Sequence, residues 1–279
     1  MINREIRDKI ESDLKEEITN WSRNGILETV SGSCYFLKSS AKSQAFQCEA
    51  NGLKELRKAD AILIADCASV GDNYILTKFI DNGYPEGDFF NRFGKQLAQL
   101  HRYKSSSYGF YEDNFIGNNP QPNIPSQTEA NDWVEFFFNK RLLYQYKLAE
   151  RHNKVSDKLR KGFLYLESTI ESLLRDSTEE PTLLHGDLWA GNFLCDTNNN
   201  VHLIDPAVYY GHREADLAMT KMFGGFTPAF YSSYHKEYPL QDGWEYREGI
   251  YRLYHVLNHL NLFGRSYLGQ AEQILMQYM

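Results

Sequence analysis

The sequence predicts an α+β fold in two lobes, a small antiparallel-sheet lobe over residues 1–80 and a larger, mainly helical lobe over residues 81–279. Three observations carry that expectation. Strand patterns concentrate before residue 80, amphipathic helical patterns dominate after it, and one hairpin signature sits among the later helices. The 279 residues are 42% hydrophobic and 14% aromatic, enough to build a large core and too apolar for intrinsic disorder.

The elements follow in order. Ile2, Ile6, Ile10, Leu14, Ile18 and Trp21 step by four or three, which predicts one leading helix that Gly25 breaks. Strands are expected at 34–38, 61–65 and 73–80, the last two joined through Gly71-Asp72-Asn73 as an antiparallel pair. Between the first and second, Phe46, Ala50, Leu53 and Leu56 suggest a helix carrying Glu49. Residues 88–103 put Phe89, Phe90, Phe93, Leu97 and Leu100 on one face of a helix. The Pro-, Gly- and Asn-rich segment 104–130 reads as a long loop, a length that compact folds usually reserve for function. Helices at 133–151 and 156–176 come next, then strands at 193–196 and 201–205 around the turn Thr197-Asn-Asn-Asn200. An aromatic-rich helix over 244–263 follows. Tyr251, Tyr254 and Phe263 on it read as core, as do Trp133, Phe136 and Phe137, with Arg141 in a buried ion pair; the alternative is that this aromatic 133–151 helix walls a binding site.

Charge and cysteine usage bound the partners. Lys and Arg total 30 against 37 Asp and Glu, a net charge of −7 that argues against a nucleic-acid groove. The charged N-terminus does not read as a signal peptide, no apolar run is long enough to span a membrane, and four scattered cysteines form no CxxC pair. A cytoplasmic protein is expected.

The chemistry concentrates in His185-Gly-Asp187-Leu-Trp-Ala-Gly-Asn192 and the hairpin that follows it to Asp205. Phosphoryl transfer needs a carboxylate to take the acceptor's proton, oxygen ligands for Mg²⁺ and positive charge on the phosphates. An H-x-D-x-x-x-x-N loop supplies the first as Asp187 and an amide ligand as Asn192, and the hairpin returns Asp205 as a second ligand. Mg²⁺ suits few carboxylates plus phosphate oxygens. Lys38 at a strand end could reach the phosphates, with Glu49 to orient it. The order strand Lys, helix Glu, catalytic loop, hairpin, Asp is that of the kinase template.

HGDLWAGN, IDPAVYYGHREADLAM and MFGGF together resemble the fructosamine kinase (ketosamine-3-kinase) family. So do Glu49-Ala-x-Gly-Leu53, Gly94-x-x-Leu-Ala-x-Leu-His101, the segment Gly109-Phe…Asn114-Phe-Ile-Gly117…Pro120-Gln-Pro-Asn123 and Trp133-x-x-Phe-Phe-x-x-x-Arg141. The likeness runs from about residue 26 to the C-terminus. It implies a protein-kinase-like fold that uses ATP and Mg²⁺ to phosphorylate the 3-hydroxyl of ketosamines. Ribulosamines, erythrulosamines or fructosamines would be the acceptors, free or on protein lysines, and the phosphorylated adduct would then fall apart.

Carried over residue by residue, the resemblance implies Asp187 as proton acceptor, Asn192 and Asp205 as metal ligands, and Lys38 with Glu49 on the ATP phosphates. Lys78, Phe79 and Ile80 match the hinge that would hold adenine. Trp189 would pack on the acceptor. His212 and Glu214 are read as substrate contacts, with a loop-stabilising role as the alternative. Asp216 matches an acidic residue that receives backbone N–H groups of the catalytic loop, while His185 and His101 are expected to brace and pack. Two departures stand out: Ala190 replaces the family's usual Ser, and Glu28-Thr-Val-Ser-Gly-Ser-Cys34 leaves little room for a β-turn-β flap over the phosphates. An aminoglycoside or choline kinase type of enzyme is one alternative, disfavoured by HGDLW and DPA. An impaired nucleotide-binding pseudokinase is another, disfavoured by the intact set of five polar residues.

Overall fold

Alternation along short strands gives the N-terminal sheet two different faces, and that decides where the site forms. The computed structural model describes residues 4–41 and 44–279. Strands β1 (Ile18–Trp21), β2 (Ile26–Thr29), β3 (Cys34–Ser39), β5 (Cys67–Gly71) and β6 (Tyr74–Lys78) form a five-stranded antiparallel sheet in the order β1-β2-β3-β6-β5. Leu37, Tyr74 and Leu76 point to one face, where they bury a small core with Ile18, Leu27 and the Ile6 and Ile10 stripe of α1 (Arg4–Leu14). Side-chain period two sends Lys38 and its cross-strand partner Ile75 to the other face. There Ile75 joins the main core with Leu53 and Leu56 of α2 (Ala45–Arg57), the helix that carries Glu49.

The leading helix is shorter than the sequence predicts. It ends at Leu14, Lys15 turns to φ +56°, and Ile18–Trp21 becomes β1. Ile2 lies outside the described residues. Two further expectations are corrected. The predicted strand at 61–65 shrinks to β4 (Leu63–Ile64), which pairs in parallel with β11 (Val201–Leu203) instead of with the 73–80 strand; β5 takes that place. A β-turn-β flap does exist, because β2 pairs with β3 through Ile26–Phe36, Leu27–Tyr35 and Glu28–Cys34 around a tight turn. The four residues between Thr29 and Cys34 suffice to close it.

The larger lobe is mainly helical. It contains α3 (Phe89–Leu100), α4 (Trp133–Phe137), α5 (Tyr144–Arg151), α6 (Asp157–Leu174), α7 (Glu214–Thr220), α8 (Pro228–Glu237), α9 (Trp244–Phe263) and α10 (Leu268–Met276). A π-helical stretch, Phe138–Leu143, joins α4 to α5 into the predicted run. Arg141 within it is fully buried, yet it donates to Pro122 O and Asn123 Oδ1, both at 2.6 Å, and stacks 3.9 Å over the Tyr209 ring. This corrects the expected ion pair: carbonyl, amide and ring accept the guanidinium in place of a carboxylate. Small sheets sit among the helices: β10 (Phe193–Cys195) pairs with β11 as the expected hairpin, and β9 (Thr182–Leu184) pairs with β12 (Tyr209–Gly211). The long segment after residue 104 contains a hairpin of β7 (Asn114–Ile116) and β8 (Asn119–Gln121). No helix among the described residues is long and apolar enough to cross a membrane.

Candidate active site

The His185–Asn192 loop runs from the end of β9 to the start of β10, and buried polar bonds fix its shape. Gly186 takes φ +81°, and a Cβ there would lie 2.0 Å from Ala207 O, so only glycine lets the loop lie against the 206–208 segment. The Ala207 N–H donates to His185 O at 2.9 Å across that contact. Asp216 of α7 accepts the His185 and Gly186 N–H groups, both at 2.8 Å, and His101 Nε2–H at 3.2 Å. Burial alone would raise its carboxyl, but the bonds from His101 and the Gly186 N–H hold it below the ordinary carboxylate range. His185 donates Nε2–H to Ile204 O at 2.9 Å and accepts the Asp187 N–H on Nδ1 at 3.3 Å; burial keeps its ring neutral.

Asp187 stands at the open side of this loop. Asn192 Nδ2 donates to Asp187 O at 2.8 Å and to Oδ2 at 3.1 Å, which orients the carboxylate. Burial pushes the Asp187 carboxyl up to about 7; the Asn192 hydrogen bond opposes this and the neighbouring carboxylates Asp205 and Asp216 add to it. A carboxylate so placed can take a proton near neutral pH.

The sheet side brings the cation. Lys38 Nζ pairs with Glu49 Oε1 at 2.5 Å and Asp205 Oδ1 at 2.7 Å. Burial would lower its ammonium, but the Glu49 and Asp205 charges outweigh that and hold it above the ordinary lysine value. Asp205 follows β11 at φ +52°, a left-handed conformation at the point where the hairpin meets the loop. A cavity of about 370 Å³ opens between Lys38, Glu49 and Asp205 on one side and Lys78, Phe79 and Ile80 on the other. The Lys78 N–H donates to Asp66 O at 2.7 Å and the Phe79 N–H to Cys34 O at 3.0 Å, which leaves the Ile80 N–H as the donor not spent on another strand.

A second cavity, of about 270 Å³, lies beyond Asp205 and shares Glu49 and Asp205 with the first. Asp187, Trp189 and Asn192 line it from the loop, and Asn114, Phe115 and Gly117 from the β7–β8 hairpin. Among the described residues its wall holds three carboxylates and no Lys, Arg or His. The hairpin is pinned there by Asn114 Nδ2 to Val208 O at 2.8 Å, and by Gln121 Nε2 to Asn114 Oδ1 at 2.8 Å and Ala207 O at 3.0 Å. Phe115 and Asn114 were not among the predicted site residues, although the Asn114-Phe-Ile-Gly117 motif contains them.

The donor set suits a divalent cation. With Nδ2 of Asn192 committed to Asp187, its Oδ1 is the atom left to ligate, and Asp205 already holds a cation in the Lys38 ammonium. Among the described residues no three His, Cys, Asp or Glu groups converge as a metal cage. Two protein oxygens fit a Mg²⁺ that takes its remaining ligands from phosphate.

Comparison with known proteins decides the family. The fructosamine kinase family model matches residues 5–279. The chain is 39% identical over 251 residues to a Synechocystis protein named a probable ketoamine kinase, covering 87% of this chain and 82% of that one. It is 39% identical over 261 residues to the chloroplastic protein-ribulosamine 3-kinase of Arabidopsis thaliana, covering 90% and 78%. The chain belongs to the fructosamine kinase family. It is accordingly a kinase with a hydroxyl group as acceptor, and ATP use goes with that class. A solved structure from Thermobifida fusca, described as a candidate fructosamine-3-kinase, superposes with a TM-score of 0.90 at 27% identity over 99% of each chain. An ADP-bound aminoglycoside phosphotransferase superposes with a TM-score of 0.61 at 14% identity, covering 99% of this chain and 98% of that one, which shows the shared kinase-like fold.

Within this fructosamine kinase fold, Lys38, Glu49, Asp187, Asn192 and Asp205 gather around the two cavities, as do Lys78, Phe79, Ile80 and Trp189. His212 and Glu214 do not. His212 is fully buried, donates Nε2–H to Ser177 O at 2.7 Å and stacks on Tyr251. Glu214 is 2% exposed and paired with Arg247. The expected substrate contact is corrected for both: their polar atoms are spent inside the core, which favours the loop-stabilising alternative. His185 braces the loop and His101 packs in the core, with His101 Nδ1 held by Tyr234 OH at 2.7 Å.

Proposed function

We propose that this kinase transfers the γ-phosphoryl group of ATP to the 3-hydroxyl of a ketosamine, a ribulosamine, erythrulosamine or fructosamine that is free or borne on a protein lysine. The phosphorylated adduct then eliminates inorganic phosphate from C3, and water cleaves the remaining C1–N bond to free the amine and a deoxydicarbonyl sugar, which removes the glycation adduct. The observation that carries this reading is the cavity beside Asp187, walled by carboxylates and by the Trp189 and Phe115 rings with no Lys, Arg or His among the described residues of its wall. A sugar ring stacks on such rings, and the protonated secondary amine of a ketosamine is drawn to that charge. The Arabidopsis relative, a protein-ribulosamine 3-kinase by name, supports the same acceptor class.

In this reading Lys38 neutralises the nucleotide phosphates and Glu49 sets the ammonium in place. Adenine lies against the Lys78–Ile80 stretch, where the Ile80 N–H is the available donor. Asp187 aligns the acceptor hydroxyl and takes its proton, a contribution of about 10²–10⁴ in rate for a positioned base. Asn192 and Asp205 would hold Mg²⁺, which would supply charge neutralisation on the transferring phosphate. The test is ATP consumption over a panel of ribulosyl-lysine, fructosyl-lysine, an aminoglycoside and choline. Turnover confined to the ketosamines is expected. Turnover of the aminoglycoside or choline with none on any ketosamine would overturn the acceptor assignment.

A further inference from the structure

The rim of the second cavity carries a run of aromatic rings that the transfer chemistry does not use. Trp189 lines the cavity but is 36% exposed, and Phe223 meets its ring edge-on at 5.6 Å. Phe223 lies 5.2 Å from His259, which lies 5.3 Å from Phe263 and 5.1 Å from Tyr267. Phe223 is 46% exposed, and Phe263, expected in the core from its helical spacing with Tyr251 and Tyr254, is 65% exposed on the last turn of α9; neither lines the cavity itself. The far end of the run returns to the cavity. Leu262, beside Phe263 on α9, sits 3.0 Å from where a Cβ on Gly117 would be, and Gly117 is part of the cavity wall. The run thus starts at the cavity wall with Trp189 and ends on α9 beside Leu262, the side chain that approaches Gly117.

Local sequence holds Phe223 there. Gly224 and Gly225 take φ +73° and +89°, and a Cβ on Gly225 would come within 2.4 Å of the Ala190 Cβ. That close approach docks the 222–226 loop on the residue next to Trp189.

We infer that this strip binds the substituent on the acceptor's amine, and that Phe223 and Phe263 determine which amine-borne groups are preferred. The inference rests on the ketosamine reading above. A ketosamine's secondary amine joins a sugar to a second group. With the sugar hydroxyl at Asp187 and the protonated amine among the carboxylates, the second group leaves through the mouth. An aryl or long alkyl group, the stem of a peptide lysine included, lies on the exposed rings there; a methyl group does not reach them.

The test compares two acceptors with one sugar, fructosyl-methylamine and fructosyl-benzylamine, in the wild type, F223A and F263A. The wild type prefers the benzylamine adduct. Each variant lowers the benzyl-to-methyl ratio of kcat/KM about fivefold, acting through KM and not kcat, the size expected for one lost aromatic contact. An unchanged ratio in the variants, or no preference in the wild type, overturns the inference while turnover of the methylamine adduct keeps the ketosamine reading. Inertness towards both fructosyl adducts and towards the matching ribulosyl and erythrulosyl pairs removes that reading and this inference together. Phe263 lies on the helix surface, so F263A decides the matter even where F223A folds poorly.

Discussion

The two sides of the cleft are built on different physics. On the helical side, Asp216, His185, His101 and Asn192 are at most 5% exposed, and their hydrogen bonds clamp the backbone on either side of Asp187. On the sheet side, Lys38 is 26% exposed, is held by two ion pairs, and projects from a sheet whose private core is seven residues. A buried, fully bonded network has one geometry, because every alternative leaves a polar group unpaired. An ammonium shared between two carboxylates can shift towards phosphate at small cost. On the proposed function, the carboxylate that takes the proton is thus preorganised, while the cation that would meet the phosphates is adjustable.

Substitutions on the two sides should therefore fail in different ways. The largest effect is expected from Asp187→Asn: about a thousandfold loss in kcat, with the ATP-dependent rise in melting temperature retained. Steady-state kinetics and thermal shift check it, and a variant that kept its turnover would remove Asp187 from the role of base. Lys38→Met on the adjustable side should lower kcat/KM for ATP about a hundredfold and leave the unfolding midpoint in denaturant nearly unchanged, since the side chain is part-exposed. Asp216→Asn reverses that pattern. Disturbing a carboxylate that accepts two backbone N–H groups and a histidine should cost about 3 kcal/mol of stability and about tenfold in kcat, with KM for ATP little altered. A loss in nucleotide affinity larger than the loss in stability would contradict the division between the sides. The smallest catalytic effect is expected for His212→Ala, which should destabilise the fold through the bond to Ser177 O and leave the acceptor KM within about twofold. A tenfold rise in that KM would reinstate it as a substrate contact.

The same contrast explains what could be read from the sequence. The helical side was legible because its chemistry is contiguous: His185 to Asn192 is one loop, and the hairpin that returns Asp205 announces itself by Thr197-Asn-Asn-Asn200. Lys38 and Glu49 were legible from their order along the chain. The hairpin wall of the second cavity was not, because β7 and β8 are three residues each, rich in Asn, Pro and Gln, and fastened by amide bonds in place of an apolar alternation. Ile18–Trp21 was misassigned because the apolar step of four continues across Lys15, where the backbone turns, and a short strand can share that spacing. The partner of β4 is β11, about 140 residues on, a pairing that local pattern cannot encode. His212 and Glu214 misled because nearness to Asp205 along the chain does not set which way a side chain points.

The central claim is the destination of the phosphate, and it is tested by phosphorus NMR of the product formed from ATP and ribulosyl-lysine. The account predicts a single phosphomonoester on the 3-hydroxyl, followed by release of free lysine. A phosphate on any other hydroxyl, or a stable phosphorylated adduct that keeps its amine, would contradict it.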